Sequence, residues 1–167
     1  MDDDAAERRC AAVDEAMNAW GDAVYRLAYA RLRNRADAED VMQTVFLRLL
    51  RRDEPFDDAG HEKAWLLRVA VNCCNDLHRS AWNRHRAAGE GVPEPIADDD
   101  GALRDIWEAV GSLPEPQRDA VHLRCGEGYE VDEIAEILGV KPATVRVRLH
   151  RARKALRTML GGTRGHR

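Results

Sequence analysis

Aromatic side chains are scarce in this chain: two Phe, three Tyr and four Trp make up 5% of 167 residues. Strand cores draw on aromatic and β-branched side chains, and here Ala, Leu, Glu and Arg dominate instead, so the composition argues for helices. Long apolar runs are missing as well. The stretch V69-AVNCC is far short of the roughly 20 residues that cross a bilayer, and the start MDDDAAERR is acidic where an export signal is basic. The expectation is a cytoplasmic protein without membrane insertion. Cysteine is limited to Cys10, Cys73, Cys74 and Cys125, with no C-x-x-C spacing, which suggests reduced structural thiols rather than a metal or disulfide framework. A Gly-rich phosphate loop, H-E-x-x-H and G-x-S-x-G are all absent, and His61, His78, His85, His122 and His150 are dispersed, so no enzymatic site and no cofactor is expected.

The most informative shortage is local. From Gly139 to Arg167 there is no Asp or Glu, while Lys141, Arg146, Arg148, Arg151, Arg153, Lys154, Arg157, Arg164 and Arg167 all fall there, in a chain of net charge -4. Acid gathers elsewhere, at Asp2, Asp3 and Asp4 and between Glu90 and Asp105. The small net charge hides a strongly polarised molecule.

Apolar residues recur with a helical period in three N-terminal segments. From Ala11 to Arg33, Val13, Met17, Trp20, Val24, Leu27 and Ala28 share a stripe; from Ala36, Val41, Val45 and Leu49 align with Phe46 and Leu50 beside them. Pro55 ends the second segment. From Glu62 to Arg86, Trp65, Val69 and Asn72 lie beside a row of Leu66, Ala70, Cys73 and Leu77. A87-AGEGVPEPIADDDG then combines Gly, two prolines and acids with almost no apolar content, the composition of an exposed linker. Beyond it come helices near Ala102–Ser112 and Pro116–Cys125, a G126-EGY turn, and two helices flanking Gly139. The expected fold is all-α: two small helical domains, 1–86 and 102–167, joined by an acidic flexible linker over 87–101.

The last two helices read as a helix-turn-helix. Ile134, Ala135 and Leu138 form an apolar face, Gly139 supplies a left-handed exit, and Pro142 suits the first turn of the following helix. Val145, Leu149, Ala152 and Leu156 form the buried stripe of that helix, which leaves Arg146, Val147, His150 and Arg151 outward with Arg148, Arg153 and Lys154 at the flanks. With no acid nearby to pair with them, these cations point to an external polyanion, and a recognition helix of this kind reaches base edges and phosphates in the major groove. The motif leaves open whether the chain is a conventional dimeric helix-turn-helix regulator or something more elaborate.

D37-AEDVMQTVFLRLL, A64-WLLRVAVNCCNDLHR, L113-PEPQRDAV and E133-IAEILGVKPATVRVRLHRARKAL occur in the order and spacing of the extracytoplasmic-function (ECF) sigma factors, the small sigma-70-type subunits of bacterial RNA polymerase, and the chain resembles that family over about Ala16 to Leu160. The resemblance implies a non-enzymatic initiation subunit whose first domain docks on core polymerase and reads the minus-10 element, and whose second reads the minus-35 element. Asp37, Glu39, Asp40 and Gln43 would meet the beta-prime clamp helices, and the second domain the beta flap. Phe56, Lys63, Asn72, Asn75, Arg79, Trp82, Arg84 and Arg86 would hold the melted minus-10 strand, with the loop from Phe56 to Lys63 receiving a flipped base; Trp65 suits the core better than the DNA, and Trp82 suits either. Lys141, Thr144, Arg146, Val147, Arg148, His150, Arg151 and Arg153 would read minus-35 DNA. The linker would thread a nucleic-acid channel of the polymerase or serve as a spacer, and an anti-sigma factor would regulate from outside, since the tail G161-GTRGHR is too short for a sensing domain.

Three departures stand out. Glu130 replaces the usual Ser or Thr cap of the first turn-motif helix, with Asp132 and Glu133 near enough to act on its dipole. Val147 stands where the family often has a small hydroxyl residue. The Cys73-Cys74 pair has no counterpart role in the family pattern.

Overall fold

The computed structural model describes residues 2–85 and 101–161, with side chains described for 2–80 and 105–161. Most of the expected linker, Arg86, and the side chains of Trp82 and Arg84 lie outside the described residues. Among the described residues all regular structure is helical. The chain divides into two compact units, Met1–Pro93 and Glu94–Arg167.

The first unit holds α1 (Asp2–Leu32), α2 (Arg35–Leu50) and α3 (Ala59–His85), each packed on the other two. α1 begins nine residues before the Ala11 expected from periodicity (11 against 2). Its first turns are exposed and carry no apolar stripe, so the pattern that locates buried helices is silent there. Asp2, Asp3 and Asp4 complement the helix dipole, Arg8 pairs with Asp4 at 2.9 Å, and Arg9 reaches Asp53 beyond α2 at 2.7 Å. Ala16 takes the inward position of its turn, leaving the neighbouring Met17 of the expected stripe 40% exposed.

α1 ends at Arg33, whose φ of 50° is left-handed, a conformation that costs a residue with a Cβ about 1 kcal/mol and is normally given to Gly or Asn. Asn34 then caps α2, its side-chain oxygen accepting from the Asp37 backbone N–H at 3.0 Å. α3 starts at Ala59 rather than near Glu62, because Asp58 Oδ1 accepts from the His61 backbone N–H at 2.7 Å. His61, Glu62 and Lys63 are therefore helical, and the loop expected over Phe56–Lys63 is shorter than the sequence suggests.

The core of this unit is Val24, Leu27 and Ala28 from α1, Ala38, Val41, Val45 and Phe46 from α2, and Leu66, Leu67, Ala70, Val71 and Cys74 from α3. Burying one such Leu or Val contributes roughly 1.5–3 kcal/mol. Arg31 lies in the same interior, 5% exposed, donating from Nη1 to the Val71 carbonyl at 3.0 Å and from Nη2 to Asn75 Oδ1 at 2.8 Å. Its charge-assisted bonds fasten the end of α1 to the middle of α3.

The second unit contains α4 (Gly101–Gly111), α5 (Glu115–Val121), α6 (Val131–Leu138) and α7 (Pro142–Gly161). α5 does not run on as an α-helix to Cys125. It widens into a π turn over His122–Gly126, in which the Glu127 N–H reaches back five residues to the His122 carbonyl at 3.1 Å. The Tyr129 N–H bonds the Leu123 carbonyl at 3.0 Å, and Gly128, at φ 75°, turns the chain toward α6. Val110, Leu113, Val121 and Ala152 form one buried cluster, with Trp107, Leu149, Ala155 and Leu156 packed against it.

Candidate nucleic-acid interface

α6 and α7 build the expected helix-turn-helix. Ile134 and Ala135 are buried as anticipated; Ile137 is buried as well, and Leu138 is only half-buried. Gly139 adopts φ 68°, ψ 36°, and the Val140 N–H closes the turn on the Ala135 carbonyl at 3.0 Å. A side chain at Gly139 would have room but not the backbone conformation, so the glycine is required by φ alone. The start of α6 is secured by Glu133, whose Oε2 accepts from the Glu130 N–H at 2.9 Å; the compensation for a missing Ser or Thr is thus a direct hydrogen bond as well as a charge near the dipole. At the start of α7, the Lys141 carbonyl accepts from Thr144 and Val145, with Pro142 in the first turn.

α7 is anchored by Val145 and Ala152, both without exposure, with half-buried Leu149 and Leu156 between and beyond. On the other side Arg146, Val147, His150, Arg151 and Arg153 are exposed, Lys141 is exposed at the helix entry, and Thr144 and Arg148 are half-buried. Among the described residues no ion pair engages an α7 cation. The structure therefore brings the expected minus-35 group together on one helix. The surface is a bank of cations whose mutual repulsion an approaching polyanion relieves.

One weak acid in each unit has altered chemistry. The half-buried Tyr129 hydroxyl is pushed up to about 12 by desolvation, reinforced by Glu127 and Glu133, and stays protonated at any ordinary pH. In the other unit, burial pushes the Cys73 thiol up, with Arg48 opposing and Asp76 adding to the rise, so it is a poor nucleophile. Cys74 is fully buried too, whereas Cys10 and Cys125 are exposed; all four are free thiols. No group of three or more His, Cys, Asp or Glu among the described residues is placed to hold a metal, and no helix among them is long and apolar enough to cross a membrane.

The first unit distributes its expected residues over several surfaces. On α2, Glu39, Asp40 and Gln43 are exposed and Asp37 is half-buried, with its N–H committed to the Asn34 cap. Glu39 lies 3.9 Å from Arg35. Leu47, one turn beyond Gln43, is 46% exposed on this same side. Periodicity gave no reason to single it out, since it falls between the core rows.

On α3, Asn72 and Arg79 are exposed, Arg79 standing 3.9 Å from Asp76. Asn75 is half-buried and its carbonyl oxygen accepts from Arg31, a cation that continues the Val24, Leu27 and Ala28 stripe of α1. Phe56 and Lys63 sit at the other end of the helix. The Phe56 ring lies 5.6 Å from Trp65 and 5.3 Å, edge-on, from His61, and the Arg52 guanidinium lies over both Phe56 and Trp65 at 4.5 and 5.1 Å. Trp65 is accordingly half-buried in this stack rather than in the core. The Lys63 ammonium lies 5.4 Å from the Trp20 ring, whose indole N–H bonds Glu62 at 3.2 Å. Beside the stack an open groove of about 280 Å³ is lined by Arg9, Val13, Leu49, Arg52, Phe56 and Glu62 among others.

Known families match both units. The model of Sigma-70 region 2 matches residues 16–84, and that of Sigma-70, region 4 matches residues 103–156. The chain is 38% identical over 160 residues to the ECF RNA polymerase sigma factor SigE of Mycolicibacterium smegmatis, covering 88% of this chain and 61% of SigE. It is 34% identical over 141 residues to the ECF RNA polymerase sigma factor SigM of Mycobacterium tuberculosis, covering 83% of this chain and 71% of SigM. The fold is that of the sigma factor RpoE solved in complex with the anti-sigma factor NepR from Bartonella quintana, at a TM-score of 0.72 and 22% identity over 89% of this chain and 96% of RpoE. With a region 2 match on one unit, a region 4 match on the unit that carries the basic helix-turn-helix, and relatives of the same order throughout, the chain belongs to the ECF sigma factors of the sigma-70 family.

Proposed function

We propose that this chain binds core RNA polymerase through the outward face of α2, holds the melted minus-10 strand along α3 and the Phe56 loop, and reads the minus-35 element with α7. The domain assignment is region 2 over 1–86, a linker over 87–101 and region 4 over 102–167. The observation that carries the reading is that α2 exposes the acids Glu39 and Asp40 with Gln43, balanced by Arg35 and Arg48, whereas the exposed charges of α7, Arg146 and Arg151 among them and with His150 beside them, are all cationic. A face of mixed charge suits a protein partner, while an acid-free basic face suits DNA. The chemistry asked of the chain is binding, positioning and trapping of unpaired bases, with bond formation left to the polymerase. RpoE was solved in complex with the anti-sigma factor NepR, and another protein of similar fold, CnrH, in complex with the cytosolic domain of CnrY; an anti-sigma factor is the proposed regulator here.

The test is transcription from genomic fragments by core polymerase with and without the purified chain. Promoter-specific transcripts that require the chain support the proposal. A tight gel shift by the chain alone on a palindromic site, with no new transcript, would replace it with a conventional dimeric regulator.

A further inference from the structure

Val147 is the most exposed of the large apolar residues in the described structure, at 47%. Its position is not marginal. At about 100° per residue it stands roughly 170° around α7 from the mean direction of Val145, Leu149, Ala152 and Leu156, at the centre of the face that points away from the unit. Ala143, also exposed, lies one turn before it on the same line. A two-residue apolar strip thus runs up the middle of the first turns of α7, bordered by Arg146 on one side, Arg151 on the other and His150 above.

Neither residue of the strip contributes to the fold, since neither packs against the core. Polar residues would be better solvated there, and a hydroxyl would offer a phosphate or base a hydrogen bond. Valine forgoes both: it neither donates nor accepts, and its two methyl groups have a favourable partner only in another apolar surface. In the major groove the base edges present one such group, the C5-methyl of thymine, which apolar side chains of a recognition helix contact.

We propose that Val147, supported by Ala143, reads a thymine methyl, so that the DNA element recognised by α7 contains a thymine, on either strand, at a fixed position among the bases met by Arg146 and Arg151. The inference rests on the proposed reading of α7 as the minus-35 helix and adds the base identity that this chain's departure at Val147 selects. A serine there accepts several bases; valine favours the one that carries a methyl group.

The experiment selects bound sites from randomised minus-35 DNA with the full chain assembled on core polymerase, then replaces each enriched thymine by deoxyuridine, which removes the methyl group and leaves base pairing intact. For the natural chain, one such replacement is expected to weaken binding about fourfold, the factor that corresponds to burying one methyl group. For Val147→Ser the same replacement is expected to leave binding unchanged, and the enrichment of thymine at that position is expected to disappear while the bases met by the arginines stay enriched; Val147→Ala, which keeps one methyl group, is expected to fall between the two. The proposal is overturned if deoxyuridine is tolerated at every position by the natural chain, or if the Val147 variants keep the full thymine preference; in both cases enriched sites leave the minus-35 reading standing. If no site is enriched at all, that reading falls and the proposal with it.

Discussion

α2 and α7 each expose one large apolar residue, Leu47 at 46% on the first and Val147 at 47% on the second, but α2 mixes exposed Glu39 and Asp40 with exposed Arg35 and Arg48, whereas the exposed charges of α7 are all cationic. α2 is packed against both α1 and α3, and its exposed surface runs through Glu39, Asp40, Gln43, Thr44 and Leu47 with Arg35 and Arg48 also exposed. α7 packs against α4, α5 and α6 along one side only and leaves a broad face free. The difference teaches how charge sorts partners within one acidic chain. In the proposed reading the mixed charge of α2 suits a protein partner, while the exposed face of α7, which holds cations and no acid, suits DNA.

The largest way to disturb this comparison is to loosen the frame beneath one face. Replacing Arg31 by Ala leaves Asn75 and the Val71 carbonyl without their buried donor and is expected to destabilise the first unit by roughly 3 kcal/mol, read by urea unfolding, with the helix-turn-helix unit unaffected. Loss of both units together would mean that they unfold as one.

Next come the faces themselves. Arg151→Ala or Arg146→Ala is expected to cost roughly 1–3 kcal/mol of minus-35 binding, and to do so unequally among sequences, if the residue meets a base. Equal loss on all sequences makes it a phosphate contact. On the opposite face, Asp40→Ala or Gln43→Ala is expected to reduce core polymerase affinity about tenfold, equivalent to about 1.4 kcal/mol, without altering the melting curve. An unchanged affinity would remove the polymerase from α2 and end the symmetry between the two helices.

Smaller effects test the supports of α7. Glu133→Ala removes the acceptor for the Glu130 N–H and is expected to cost about 1 kcal/mol in the second unit alone. Least of all, the raised Tyr129 hydroxyl favours the fold only while protonated. That contribution is complete below the ordinary tyrosine value and fades as pH rises through about 12. Tyr129→Phe should flatten this alkaline loss in the second unit and leave stability at neutral pH little changed; an identical alkaline profile would exclude Tyr129 as its source.

The helix-turn-helix was readable because its determinants are local: Gly139 must be left-handed, Pro142 must sit in a first turn, and Val145 to Leu156 repeats at helical spacing. What escaped reading has a common physical origin in contacts that periodicity does not encode. Residues Asp2–Cys10 are helical without a buried face, so no apolar pattern marks them. Arg31 is buried because two acceptors on α3 await it, which a charged residue on α1 does not announce. The π turn at His122–Gly126 depends on bonds reaching back five residues, and Phe56 belongs to a stack with Arg52 and Trp65 that forms only once the loop has folded over α3. The residue types of the candidate site were legible, then, but the commitments of Asn75, Phe56 and Lys63 to neighbours were not.

The commitment of Asn75 fixes more than packing. A free carboxamide can turn over and offer either an oxygen or an amino group to whatever it meets, and so accepts partners of both kinds. Here the Arg31 guanidinium claims the oxygen, and the flip is lost. With the orientation fixed, the amino group points in one known direction, so the interior cation of α1 decides where Asn75 can donate to a lone pair and leaves its oxygen one further acceptor site.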